Sequence, residues 1–150
     1  MADFSQAIGL ASLGCSEEEL MKLAALYWFT IEFGLCRQNG ELKVYGAGIL
    51  GGVHEMEYCM SDVPKYYPLD PDEIAKNHVN FVINSVQPYY FIAESFSNAK
   101  EIITEYTKRI NQPFKLAFDA KNNSVHLIEG NIKFKDINSI KAQHSKGPLF

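Results

Sequence analysis

Leu23-Ala24-Ala25-Leu26-Tyr27-Trp28-Phe29-Thr30-Ile31-Glu32-Phe33-Gly34 is an apolar run at helical spacing with one carboxylate, Glu32, in its last turn. A carboxylate there faces the negative end of the helix macrodipole. Among large apolar neighbours its ionised form also loses hydration, which raises its pKa unless a cation or hydrogen-bond donors compensate. The pattern therefore implies a partner for Glu32. One reading is a structural pair with an Arg or a backbone N–H, and residue types alone favour it. The other is a metal ion, which neutralises the charge and takes oxygen ligands directly.

Working upstream, Ser16-Glu17-Glu18-Glu19 reads as a capping box, with Ser16 accepting from a first-turn N–H and Glu19 reaching back. The helix that starts there carries Leu20, Leu23, Ala24, Tyr27 and Ile31 on one face, and Leu26, Trp28 and Phe29 fill the others. A helix apolar nearly all round is buried, and Gly34 is its expected C-terminal stop. Before it, the small and apolar residues from Met1 to Gly14 suit a short helix or turn packed on the core.

Downstream, Leu35 to Val44 reads as two strands around the hairpin turn Asn39-Gly40. Gly46-Ala47-Gly48-Ile49-Leu50-Gly51-Gly52 has no GxGxxG fingerprint and no Walker lysine, so it reads as backbone passing close to something bulky. A short helix over Val53 to Met60 follows. Pro64, Pro68 and Pro71 predict an irregular connector, and Asp70-Pro71-Asp72-Glu73 opens a short helix through Lys76. Tyr89 to Ala93 reads as a strand. Ser97 is the expected cap of a helix whose Ala99, Ile102, Ile103, Tyr106 and Ile110 share a face. Alternation at Phe114, Leu116 and Phe118, a turn at Lys121-Asn122-Asn123 and alternation at Val125 and Leu127 predict a hairpin. After Gly130 the chain is more basic and loses pattern, with Ile137 and Ile140 marking at most a short helix.

A chain of 150 residues can bury one real core, and 47% apolar against 21% charged residues is globular rather than disordered composition. The expected class is α+β, mainly α. A net charge of −4 without basic clusters excludes a nucleic-acid footprint. Cys15, Cys36 and Cys59 are odd in number and widely spaced, which argues against a disulfide framework or cysteine zinc site and suits a reducing cytosol. No signal pattern or membrane-length apolar run is present, so a soluble, cytoplasmic protein with no membrane partner is expected.

Tyr27-Trp28-Phe29-Thr30-Ile31-Glu32-Phe33-Gly34-Leu35-Cys36 resembles the signature of the pterin-dependent aromatic amino acid hydroxylases. Phe4-Ser5-Gln6, Ile8-Gly9-Leu10-Ala11-Ser12-Leu13-Gly14, Tyr45-Gly46-Ala47-Gly48 and Tyr90-Phe91-Ile92-Ala93-Glu94-Ser95-Phe96 extend the likeness, in order, from about Phe4 to about Ile128. Glu57-Tyr58-Cys59-Met60-Ser61 and Gln87-Pro88 lean toward the phenylalanine-using branch, and Trp28 favours the phenylalanine or tyrosine branch, since the tryptophan-using branch carries Phe there.

The resemblance implies the C-terminal part of a hydroxylase catalytic domain over residues 1–130, with short β-hairpins. Residues 131–150 form a tail whose order the sequence leaves open. In the family, Glu32 is the carboxylate of a 2-His-1-carboxylate iron site. Tyr27 and Ala24 would lie on the pterin side, and Trp28, Gly48, Gly51 and Ile92 in the substrate pocket, with Tyr90 on its flank. Iron(II) and tetrahydrobiopterin would together reduce dioxygen, one oxygen atom going to the pterin and one to the ring of an aromatic amino acid. Phenylalanine is the favoured substrate.

Departures from the family pattern qualify that expectation. Gly51-Gly52 replaces two serines of the familiar animal enzymes, the first of which supports an iron-ligating histidine. The two ligating histidines, the substrate-carboxylate clamp and the pterin-stacking groups lie in the family upstream of Met1, so Met1 is expected to be an artificial start or that of a truncated gene. His54, His78, His126 and His144 show no i, i+4 pairing, and His54 reads as a surface residue. The tail lacks the heptads of a tetramerisation arm, so no oligomer is expected through it. The isolated chain is therefore expected to be incomplete or inactive. The alternatives are an inactive remnant that binds a partner and a metal-free module that binds aromatic ligands.

Overall fold

A computed structural model describes residues 2–130, with side chains from Phe4 onward. The tail, with Ile137, Ile140 and His144, lies outside the described residues. Helix α1 spans Ala2–Ser12, and α2, Glu17–Tyr27, starts at Ser16, whose hydroxyl accepts the Glu19 N–H. The reciprocal half of the capping box is not formed. Glu19 instead faces Lys22 at 3.3 Å, and Lys22 also holds Glu18 at 2.6 Å.

The helix does not continue regularly to Gly34 as its spacing predicts. At Trp28 it widens into a π-helical turn, Trp28–Glu32, closed by the Phe33 N–H on the Trp28 carbonyl at 2.9 Å. The fully buried Thr30 donates its hydroxyl to the Leu26 carbonyl at 2.5 Å. A hydroxyl returned to the i−4 carbonyl competes with the backbone ladder at the point where the turn opens. Gly34 is also needed for a different reason than a left-handed stop. The positive-φ glycines are Gly14, Gly40 and Gly130, whereas a Cβ on Gly34 would lie 2.2 Å from the Thr30 carbonyl oxygen and 2.3 Å from the Tyr45 ring.

Strands β1, Leu35–Gln38, and β2, Glu41–Val44, pair antiparallel around Asn39 (φ 54°) and Gly40 (φ 81°), the backbone that a two-residue Asn-Gly turn supplies. Helices α3, Ala47–Leu50, and α4, Val53–Cys59, follow. Strand β3, Lys65–Pro68, corrects the expectation of an irregular connector: it pairs parallel with β4, Tyr89–Ala93. Its one proline, Pro68, fits because this strand is the sheet edge, where a missing N–H costs no ladder bond. With β4 also parallel to β1, the hairpin grows into a mixed four-stranded sheet of order β2-β1-β4-β3.

Helix α5, Pro71–Asn77, is capped by Asp70, which accepts from the Asp72 and Glu73 N–H groups. Helix α6, Phe96–Lys108, is capped by Ser95 rather than Ser97. The extended backbone at Ser95 (φ −160°) lets β4 turn directly into α6 and sets Phe96 edge-on to Phe4 at 6.0 Å. Ala99, Ile103 and Tyr106 then face inward. Strands β5, Phe114–Asp119, and β6, Ser124–Gly130, form a separate hairpin. The alternation in β6 does not mark a buried face, since Val125 and Leu127 are 49% and 43% exposed.

The mainly helical α+β class holds. Its core is split by the sheet. Phe4, Ile8, Leu23, Leu26, Phe29, Phe91 and Ile103 pack together on one side. Leu35, Ile49, Cys59 and Tyr90 form the smaller cluster on the other. All three cysteines are buried, and none of them is disulfide-bonded.

Gly46 is crowded by backbone alone: a Cβ there would lie 2.3 Å from the Glu32 carbonyl oxygen and 2.6 Å from the Gly34 nitrogen. Gly46→Ala should therefore destabilise the fold by about 1–3 kcal/mol, the range for overpacking. Gly9 in α1 has no atom within 4 Å of its would-be Cβ, so Gly9→Ala should stabilise by about 0.5–1 kcal/mol. Urea denaturation of the two variants checks both signs.

Candidate active site

Glu32 is the last residue of the π-helical turn, and its place is set by a backbone crossing. The Gly34 carbonyl accepts the N–H groups of Tyr45 and Gly46 at 3.1 and 3.0 Å. One turn further on, a Cβ at Gly48 would be 3.2 Å from Glu32 Oε2 and 3.1 Å from the Phe33 ring. Gly48 thus lies directly against the carboxylate. Gly51, by contrast, ends α3 with only ordinary contacts at its would-be Cβ, and Leu50 and Val53 around it are 59% and 77% exposed.

The Glu32 side chain is half-buried, and among the described residues its carboxylate has no hydrogen-bond or ion-pair partner. The expected structural pair with an Arg or a backbone N–H is not made among the described residues. A half-buried carboxylate held in place without a protein cation suits a metal as one oxygen ligand. It cannot suffice alone. No group of three or more His, Cys, Asp or Glu residues that could hold a metal occurs among the described residues. His54 is exposed on α4, and His126 is exposed on β6. His78 sits among Phe29, Tyr89 and Phe91 with Glu73 at 3.6 Å. Among the described residues, this site offers a metal one carboxylate and no grouped second ligand.

Trp28, 7% exposed, lies four residues before Glu32 on the same turn. Phe81 stacks on it at 4.9 Å and 19°, and Phe33 lies 4.6 Å away at 39°. Its indole N–H donates to Gln87 Oε1 at 3.0 Å. Gln87, 1% exposed, donates its amide to the Val82 and Ser85 carbonyls, and its backbone N–H to Glu55 Oε1. Glu55 also accepts the Tyr90 hydroxyl. Burial first, and then the Glu55 carboxylate, hold the Tyr90 phenol well above the usual tyrosine range. Burial beside Glu55 likewise pushes the Cys59 thiol up to about 11.

The sequence-chosen residues fall into three places. Ala24 and Tyr27 line one open groove of about 270 Å³ between α1 and α2, together with Ser5, Ile8, Leu20 and Leu23. Trp28 and Gly48 both lie against the Phe33 ring, and Gly48 lies against Glu32. Ile92 and Tyr90 belong to the cluster on the opposite face of the sheet, with Ile92 also bordering a groove of Arg37, Tyr67 and Pro68. Sequence reasoning missed the roles of Gln87, Glu55 and Phe81. Their partners lie 32 to 59 residues away in the chain, and no local spacing reports such contacts.

The match to the model of the biopterin-dependent aromatic amino acid hydroxylases runs over residues 1–146. The chain belongs to that family. Among its relatives, mouse tyrosine 3-monooxygenase is 47% identical over 128 residues, covering 85% of this chain and 25% of the relative. Human phenylalanine-4-hydroxylase is 42% identical over 134 residues, covering 89% and 29%. The chain thus spans about a quarter of the length of these relatives. A Chromobacterium violaceum phenylalanine hydroxylase with bound iron(III) and 7,8-dihydrobiopterin superposes with a TM-score of 0.62 at 31% identity, over 71% of this chain and 39% of that one. The Legionella pneumophila phenylalanine hydroxylase also gives 0.62, at 29% identity, over 71% and 45%. The hydroxylase family and its fold are thereby established for this chain. No helix among the described residues is long and apolar enough to cross a membrane.

The shielded thiol and phenols have a consequence for pH. Raised pKa values mean that the native chain holds protons the unfolded chain has lost, so stability falls as pH rises through that interval. For Cys59 the interval runs from the ordinary 9.0 to about 11. Chemical denaturation is expected to show decreasing stability over pH 9–11, with a shallower decline in Cys59→Ala.

Proposed function

We propose that residues 1–130 are the C-terminal part of the catalytic domain of an aromatic amino acid monooxygenase, with phenylalanine 4-hydroxylation favoured. The observation that carries this reading is the Glu32 carboxylate: half-buried, without a protein partner among the described residues, and pressed by Gly48 beside the aromatic wall of Trp28 and Phe33. Relatives of both the phenylalanine and tyrosine branches match and Trp28 suits either, so the choice of phenylalanine rests on the Glu57-Tyr58-Cys59-Met60-Ser61 and Gln87-Pro88 segments.

In this reading Glu32 holds iron(II) through a carboxylate oxygen, and two imidazoles from outside the described residues complete the ligand set. Bound iron and tetrahydrobiopterin would supply the reductive activation of dioxygen. The chain's own residues do the rest. Trp28 and Gly48 bound the space for the substrate ring, offering an aromatic edge and a site without a side chain. Ala24 and Tyr27 bound the groove assigned to the pterin side. The turn from Glu32 to Gly34, locked against Tyr45 and Gly46, keeps the carboxylate from drifting, which is the precision that oriented catalysis needs.

A second reading, a catalytically inactive remnant, is favoured by the lack of a complete metal-ligand group among the described residues and by the glycines at 51 and 52. Anaerobic loading separates the two. Residues 1–150 alone are expected to bind no specific iron(II). Joined to a segment bearing two histidine ligands, the chain should bind near-unit iron and form tyrosine from phenylalanine in a tetrahydropterin-dependent way, and Glu32→Ala should abolish both. An assembled protein with neither activity nor Glu32-dependent iron would establish the remnant. Near-unit iron in the chain alone, lost in Glu32→Ala, would instead place all three ligands within residues 1–150.

A further inference from the structure

Trp28 is the only tryptophan in the chain, and its indole N–H reaches an acceptor 59 residues further on. The fixing group comes from the loop between α5 and β4. Gln87 is 1% exposed, and each of its hydrogen-bonding groups toward the loop and the indole is used. The side-chain oxygen accepts from Trp28 Nε1 at 3.0 Å, and the amide nitrogen donates to Val82 and Ser85 at 2.7 and 3.3 Å. The backbone N–H of Gln87 is tied to Glu55 Oε1 at 3.4 Å, and that same oxygen receives the Tyr90 hydroxyl. A buried amide with its partners all satisfied is stiff, because any rotation leaves a donor or acceptor unpaired at full desolvation cost.

The loop holds the indole in a second way, through the stacked Phe81 ring at 4.9 Å. Stacking fixes the plane of a ring but not the direction of its N–H edge, whereas a hydrogen bond to Nε1 selects that direction. The two contacts therefore do different things. From this geometry we propose that Gln87 is a positioning residue, whose side-chain carbonyl sets the in-plane orientation of Trp28 and thereby the aromatic wall presented beside Glu32. The inference rests on the reading of Trp28 as a substrate wall. Glu55, anchored on the far face of the sheet through Tyr90, holds Gln87 in turn, so the wall is tied to a strand rather than to a loop alone.

One indole makes the test direct, because the protein gives a single indole cross-peak in a ¹H–¹⁵N spectrum. Wild type is expected to show that N–H protected from solvent exchange. Gln87→Met should release it while the backbone amides stay dispersed, and Phe81→Leu, which loosens the same loop but keeps the acceptor, should leave it protected. A role in loop packing alone predicts equal effects of the two variants and would overturn the proposal. So would an unprotected indole N–H in wild type, which covers the case in which Gln87→Met does not fold. Titration with L-phenylalanine adds the second arm. A wild-type indole shift with roughly fivefold weaker binding in Gln87→Met, the loss expected for one buried hydrogen bond, supports positioning. Equal binding in the two would overturn it. A protected indole that ignores L-phenylalanine in the chain joined to its histidine-bearing segment would sink the substrate-wall reading while leaving the Gln87 clamp in place.

Discussion

Everything around the candidate site depends on two chain segments that touch backbone to backbone. Glu32 to Gly34 leaves the central helix as Tyr45 to Gly48 leaves the hairpin, and the Gly34 carbonyl binds both arriving N–H groups. Contact this close excludes a Cβ at Gly34 or Gly46 and nearly excludes one at Gly48. The glycines are thus a spatial requirement of the crossing rather than a source of flexibility. Once the crossing forms, the π-helical turn has a fixed end and Glu32 has few places to point.

The crossing also explains why a buried helix can end in a carboxylate. The wider turn at Trp28–Glu32 carries Glu32 out of the packed side of α2, where Leu23, Leu26 and Phe29 are all but inaccessible, to a half-buried position against Gly48. A π-helical turn rearranges the end of a helix at modest cost and recurs at functional sites. Here Thr30, buried with its hydroxyl on the Leu26 carbonyl, gives the turn a local cause in the sequence. The placement of Glu32 and the helix irregularity share one origin.

The sheet has the second organising role. It carries the aromatic core on one face and the Leu35, Ile49, Cys59 and Tyr90 cluster on the other. Glu55 and Gln87 connect the two faces, from the Tyr90 hydroxyl to the Trp28 indole. Such a relay is absent from any single element. It exists because α4, the loop before β4 and the end of α2 meet at one place.

Much of this was legible in the residues themselves. The apolar run from Leu23 to Ile31, the Ser16 cap, the Asn39-Gly40 turn and the strand Tyr89–Ala93 follow from local spacing and turn chemistry, and Glu32 stands out because a carboxylate in that company is costly. The family likeness was legible too, because its motif sits on one uninterrupted segment. Tertiary structure decided what depends on distant neighbours. It made an edge strand of the proline-bearing Lys65–Pro68, because β4 was available to pair with it. It moved a cap from Ser97 to Ser95, because Phe96 had a place against Phe4. It brought Gln87 to Trp28 across 59 residues, and showed that no protein group among the described residues answers the charge of Glu32. Local rules see only neighbours along the chain, whereas burial, close backbone approach and hydrogen-bond satisfaction are settled by neighbours in space.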